Sequence, residues 1–89
     1  MARLLRQRQP VYPPELLQQG IEATVRLAAV ISGDGVPVDL SVLNADAVDS
    51  RFTQAALDAV SQWRYQPAKL NGHPVATATQ IEVNFELGK

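Results

Sequence analysis

Across residues 81–87 apolar and polar side chains alternate without a break: Ile81, Val83, Phe85 and Leu87 take one side, Glu82, Asn84 and Glu86 the other. A period of two sends successive side chains to opposite faces of an extended chain, so this stretch reads as a strand with one dry face and one wet face. Thr77 and Thr79 carry the dry set backwards, with Gln80 opposite them. A strand of this kind needs cover on one side only, which is the situation of an antiparallel sheet under a single layer of helices.

The same period occurs earlier. Val25, Leu27, Ala29 and Ile31 share a face, with Thr24 and Arg26 opposite. Gly33-Asp34-Gly35 follows, a hairpin turn whose Asp-Gly pair tolerates positive φ. Val36, Val38, Leu40 and Val42 are then expected on one face of a second strand and Pro37, Asp39 and Ser41 on the other. A proline near its start suggests an outer position. Before these strands, Pro13 or Pro14 can open a short helix over residues 15–19, with Glu15 in its first turn and Gly20 as its stop. After a polar loop over residues 44–49, Asp49 or Ser50 can cap a second helix. Its stripe is Phe52, Ala56, Ala59 with Val60, and Trp63. The pattern predicts that this helix runs on and breaks at Gln66-Pro67. Asn71-Gly72 turns the chain again. The order is helix, strand, strand, helix, strand. The expected fold is a two-layer α+β domain (αββαβ), a three-stranded antiparallel sheet covered on one face by two helices.

Chemistry is scarce. His73 is the single histidine and there is no cysteine, which excludes sulfur-ligated metal and thiolate catalysis and leaves His73 without a second histidine or cysteine as partner. His73 sits in the Asn71-Gly72-His73-Pro74 turn and is expected to be solvated. Gly33-Asp34-Gly35 lacks the length of a phosphate loop and the acidic ligands of a calcium loop. The carboxylates are scattered. No enzyme, cofactor or metal is expected. A net charge of −1 speaks against nucleic acid, and no run approaches the roughly 18–20 apolar residues of a membrane span. Residues 1–9 form a flexible basic lead-in, with Arg3, Arg6 and Arg8 either simply solvated or guiding an acidic partner. Trp63 is expected in the core, Arg64 outside it, and Tyr65 packed at the helix end.

Three segments carry a resemblance: Gln9-Pro10-Val11-Tyr12-Pro13, then Trp63-Arg64-Tyr65-Gln66-Pro67, then the closing strand. In that order and spacing, with the Asp34-Gly35 and Asn71-Gly72 turns between them, the chain resembles the TonB C-terminal domain family over nearly its whole length. It departs where many members read Glu-Gly before the first strand and this chain reads Glu22-Ala23. The resemblance implies a domain over residues 10–89 of an energy transducer. Such a domain binds an extended peptide, the TonB box, of outer-membrane transporters by adding it to the edge of its last strand. Thr79, Ile81, Val83 and Phe85 would form that edge. Gln9 and Pro10, with Tyr12 holding the segment, and Arg64 would contact the transporter. The resemblance further implies a periplasmic domain of an inner-membrane-anchored protein working with ExbB and ExbD through an anchor region that is absent here. It also implies energy transfer for uptake of siderophores, vitamin B12 or similar nutrients. On this reading the chain is an excised domain. A strand-exchanged homodimer could use the same open edge. The alternative is the same module fused to a membrane peptidase or signalling protein.

Overall fold

The computed structural model describes residues 2–87. Its centre is a pair of nine-residue strands, β2 (Ala23–Ile31) and β7 (Thr77–Phe85), antiparallel and in unbroken register from Ala23 opposite Phe85 to Ile31 opposite Thr77. The register sets buried Val25 against buried Val83 and buried Leu27 against buried Ile81. Cross-strand apolar pairs of this kind are the unit of sheet stabilisation. β3 (Pro37–Val42) lies along the other side of β2, giving the order β3-β2-β7. Two helices cover the dry face. Leu16 of α1 (Pro14–Gln18) and Phe52, Ala56 and Val60 of α2 (Ser50–Val60) join the inward residues of β2 and β7 in one core. This is the expected α+β sheet-and-helix arrangement.

The helices start and stop for local reasons. Pro14 opens α1 at a position whose N–H has no intrahelical partner. Gly20 closes it, with the Ile21 N–H reaching back to the Leu16 carbonyl at 3.0 Å. Asp49 caps α2, its carboxylate accepting from the Arg51 N–H at 2.9 Å. The expected exit was wrong. α2 ends at Val60, and the Gln62 and Trp63 N–H groups bond the Ala59 and Val60 carbonyls in tight i to i−3 turns. The chain is then extended through β4 (Arg64–Gln66). Pro67 explains part of this, because a residue before proline avoids the helical region. The rest lies in the lead-in, where β1 (Arg3–Arg6) pairs with β4. Residues expected as a flexible lead-in thus include a paired strand.

β3 also departs from expectation. Ala28 faces Ser41 and Val30 faces Val38, so Asp39 and Leu40 together stand against Ala29. That extra residue is a bulge, and Asp39 takes the left-handed conformation at φ 51. The bulge shifts the side-chain phase. Pro37 is buried opposite Ile31, Val38 is exposed, and Leu40 and Val42 turn half inward. The four apolar residues expected on one face are therefore split. Pro37 does mark an outer strand.

The two turns differ in what surrounds them. β5 (Ala68–Leu70) and β6 (His73–Val75) are joined by Asn71-Gly72 at φ 53 and 82, a two-residue turn with both central residues at positive φ. It projects into open space, and His73 is exposed. In the β2–β3 turn the Ser32 hydroxyl accepts from the Asp34 and Val36 N–H groups, and only Gly35 has positive φ. Gly35 is buried, and its carbonyl accepts from the Tyr65 N–H at 2.8 Å. A Cβ there would lie 2.0 Å from the Tyr65 carbonyl oxygen, whereas at Gly72 it would meet nothing within 4 Å. Gly72→Ala should therefore cost about 1–2 kcal/mol, from backbone conformation alone. Gly35→Ala should cost more than the roughly 1–3 kcal/mol of ordinary overpacking, because two backbones must separate. Urea melts of the two variants would measure the difference.

Candidate partner-binding edge

β7 is an end strand. β2 occupies one side of it, and among the described residues no strand pairs with the other. In an antiparallel pair, alternate residues turn both backbone groups to the neighbour, and the residues between turn theirs away. Half of the β7 backbone therefore offers unpaired donors and acceptors along its outer side. Natural sheets usually blunt such an edge with a bulge, a proline or a lysine. Residues 77–87 contain neither proline nor lysine, and the register with β2 has no bulge.

Side chains and backbone play separate parts here. Ile81, Val83 and Phe85 are buried against the helices, and Thr79 is half-buried. Their backbones are also taken up. Arg26 turns its N–H and C=O to Asn44 and Leu43 on the β3 side, so Val25 and Leu27 turn theirs to Val83 and Ile81 of β7. The expected residues Thr79, Ile81, Val83 and Phe85 therefore face β2, and the outward backbone groups of β7 belong to Ala78, Gln80, Glu82 and Asn84. On the wet face, the Thr24 hydroxyl donates to Asn84 Oδ1 at 2.8 Å, and Arg26 lies 3.4 Å from Glu82. Exposed pairs of this kind contribute little to stability.

The segment over residues 8–13 is tied to the same core from both ends. The buried Trp63 donates its indole N–H to the Arg8 carbonyl at 2.9 Å. Tyr12 stands edge-on to Phe52 and to Phe85, at 5.7 and 5.6 Å between ring centres, and donates its hydroxyl to the Ile21 carbonyl. Desolvation pushes the Tyr12 hydroxyl pKa up, and the Glu22 carboxylate adds to this. Between these anchors Gln9 and Val11 are exposed and Pro10 is half-buried. The segment and α2 enclose an open cleft of about 450 Å³ that Gln9, Val11, Gln54, Asp58 and Gln62 help to line. Sequence reasoning missed this cleft, since the spacing of polar residues on α2 says nothing of what runs alongside. Arg64 is exposed as expected, and its guanidinium donates to the Ser61 and Trp63 carbonyls. Tyr12 connects the two groups of expected residues, because its ring touches Phe85 of β7.

Arg51 joins the helix starts. It reaches Glu15 at 2.6 Å and Asp49 at 2.8 Å. Its hydrogen bonds hold the Asp49 carboxyl down at about 2, and Asp49 in turn raises Arg51.

A family model of the Gram-negative bacterial TonB protein C-terminal matches residues 8–87. The chain belongs to this family. It is 33% identical over 79 residues to protein TonB of Vibrio cholerae, covering 89% of this chain and 32% of that protein. It is 37% identical over 86 residues to protein TonB of Pseudomonas aeruginosa, covering 96% of this chain and 25% of that protein. The chain thus spans a third or less of the length of these relatives. The solution NMR structure of the Pseudomonas aeruginosa TonB CTD superposes with a TM-score of 0.82 at 30% identity, covering 99% of this chain and 88% of that one.

Trp63→Ala should destabilise the domain by about 3–5 kcal/mol, with cooperative melting lost or strongly shifted. Trp63→Phe should cost less and loosen chiefly the Arg8 tether, read from amide exchange in residues 8–12. The Asp49 pKa is lowered on folding from 3.8 to about 2, so its contribution is complete above the higher value and is lost as pH falls through the lower. Acid titration of the wild type should show that loss, and Asp49→Asn, which can still cap the helix, should not.

Proposed function

We propose that this chain is the partner-gripping domain of a TonB-like energy transducer, and that the outer edge of β7 receives an extended TonB-box segment of an outer-membrane transporter. The observation that carries this reading is the nine-residue end strand with neither bulge nor proline. Strand addition needs such an edge, and backbone hydrogen bonds supply its affinity. Because those bonds are indifferent to most side chains, one domain can serve several transporters. Gln9, Pro10 and Arg64 are not part of that strand and would meet the transporter's folded surface, with Tyr12 fixing the segment. The pinning of residues 8–12 lowers the entropy lost on docking.

In this reading the domain lies in the periplasm at the far end of an inner-membrane-anchored protein. It transmits work supplied through ExbB and ExbD to the uptake of siderophores, vitamin B12 or similar nutrients. The domain binds and pulls; it does not catalyse. A strand-exchanged homodimer would compete for the same edge.

Titration with a TonB-box peptide, followed by backbone amide NMR, should perturb residues 79–85 first. A peptide N-methylated on its pairing face should bind at least about ten-fold more weakly, since each lost backbone bond is worth about 0.5–1.5 kcal/mol. Perturbation confined to the 8–13 cleft, or equal binding of the methylated peptide, would refute the assignment of β7.

A further inference from the structure

A second surface shares only Arg64 with that reading. β1 and β4 form a separate two-stranded ribbon in which Arg6 stands directly opposite Arg64. Like charges in directly opposed cross-strand positions destabilise a ribbon. Arg8 follows two residues later, and Arg6, Gln7, Arg8, Gln62 and Arg64 line an open cleft of about 450 Å³. Three cations and two amides face this space with no carboxylate in its lining. Among the described residues none of the three arginines has an ion-pair partner, although Arg26 and Arg51 do. The whole chain carries −1, so the positive charge is local to the cleft and not a consequence of composition. Arg64 spends only one of its terminal nitrogens, Nη1, on the Ser61 and Trp63 carbonyls. Its guanidinium carries five donors in all, so others remain for a ligand.

We infer that this cleft is an anion-recognition site that takes the side-chain carboxylates of an acidic, extended peptide segment on a partner protein. The site is distinct from the β7 edge and does not depend on the reading given to that edge. Arginine forks suit carboxylates through paired N–H···O bonds. The setting favours a peptide over a free anion. β1 is itself an end strand, exposed along all four residues, so a backbone can lie beside it while its acidic side chains reach the arginines. The Gln7 and Gln62 amides can meet peptide groups that a simple ion lacks. A bound carboxylate also relieves the Arg6–Arg64 repulsion, so binding should tighten the β1–β4 pairing.

The test compares a capped, extended hexapeptide alternating glutamate and valine with its glutamine counterpart, in low and physiological salt. The glutamate peptide should shift the Arg6, Arg8 and Arg64 resonances and bind more weakly as salt rises; the glutamine peptide should not bind. Arg6→Glu should weaken binding by about five-fold or more, yet leave the melting temperature unchanged or higher, because it places a carboxylate opposite Arg64. Should Arg6→Glu disturb folding, Arg6→Gln with Arg8→Gln serves instead, with the Trp63 indole resonance reporting an intact tether to the Arg8 carbonyl. Equal binding of the two peptides, or unchanged affinity in the folded variants, would overturn the assignment. So would inorganic phosphate or anionic vesicles that match the glutamate peptide at equal charge, since these would make the cleft a general anion site.

Discussion

The rest of the structure depends on the register between β2 and β7. A slip of one residue would turn one strand's inward set to water, either Val25, Leu27, Ala29 and Ile31 or Ile81, Val83 and Phe85. The unbroken pairing holds all of these on one side. It thereby creates the apolar floor on which α2 lays Phe52, Ala56 and Val60. Phe85 then meets Phe52 at 4.8 Å, and Tyr12 closes over both. The N-terminal segment is positioned by packing that begins at the far end of the sheet.

This arrangement makes the β7 edge stiff as well as open. The buried side chains of Ile81, Val83 and Phe85 hold the strand from one face, β2 holds it from one side, and only the outer backbone remains unpaired. An incoming peptide therefore meets preformed geometry and contributes most of the ordering cost itself. The buried side chains cannot select a partner. On the proposed reading selectivity comes from elsewhere on the surface, for which the segment around Gln9 and the arginine-lined cleft at β1 and β4 are the proposed surfaces.

The strands legible in the sequence were those whose alternation was complete. β2 and β7 were readable from Val25 to Ile31 and from Ile81 onward because one face is wholly buried. β3 was readable as a strand, but its face was not, since the bulge at Asp39 leaves no mark in an apolar count. The Asp49 cap and the Trp63 burial were legible because each follows from local spacing. The exit of α2 was not. Residues 61–66 suit a helix by composition, and what draws residues 64–66 into a strand is β1, some sixty residues away in the chain. The edge residues were named from the resemblance, yet only the topology places β7 on the outside. The two clefts were invisible, because each lies between elements that no pattern brings together.

Hydrogen exchange along β7 tests the central claim most directly. In the free domain alternate amides of residues 77–85 should exchange slowly, paired with β2, while those between exchange fast. With a TonB-box peptide at about 100 times its Kd, the fast set should slow by about 100-fold, and the whole strand should become protected. If the fast amides of β7 stay fast at saturation while the peptide is demonstrably bound, the partner is held elsewhere and β7 is not the receiving edge.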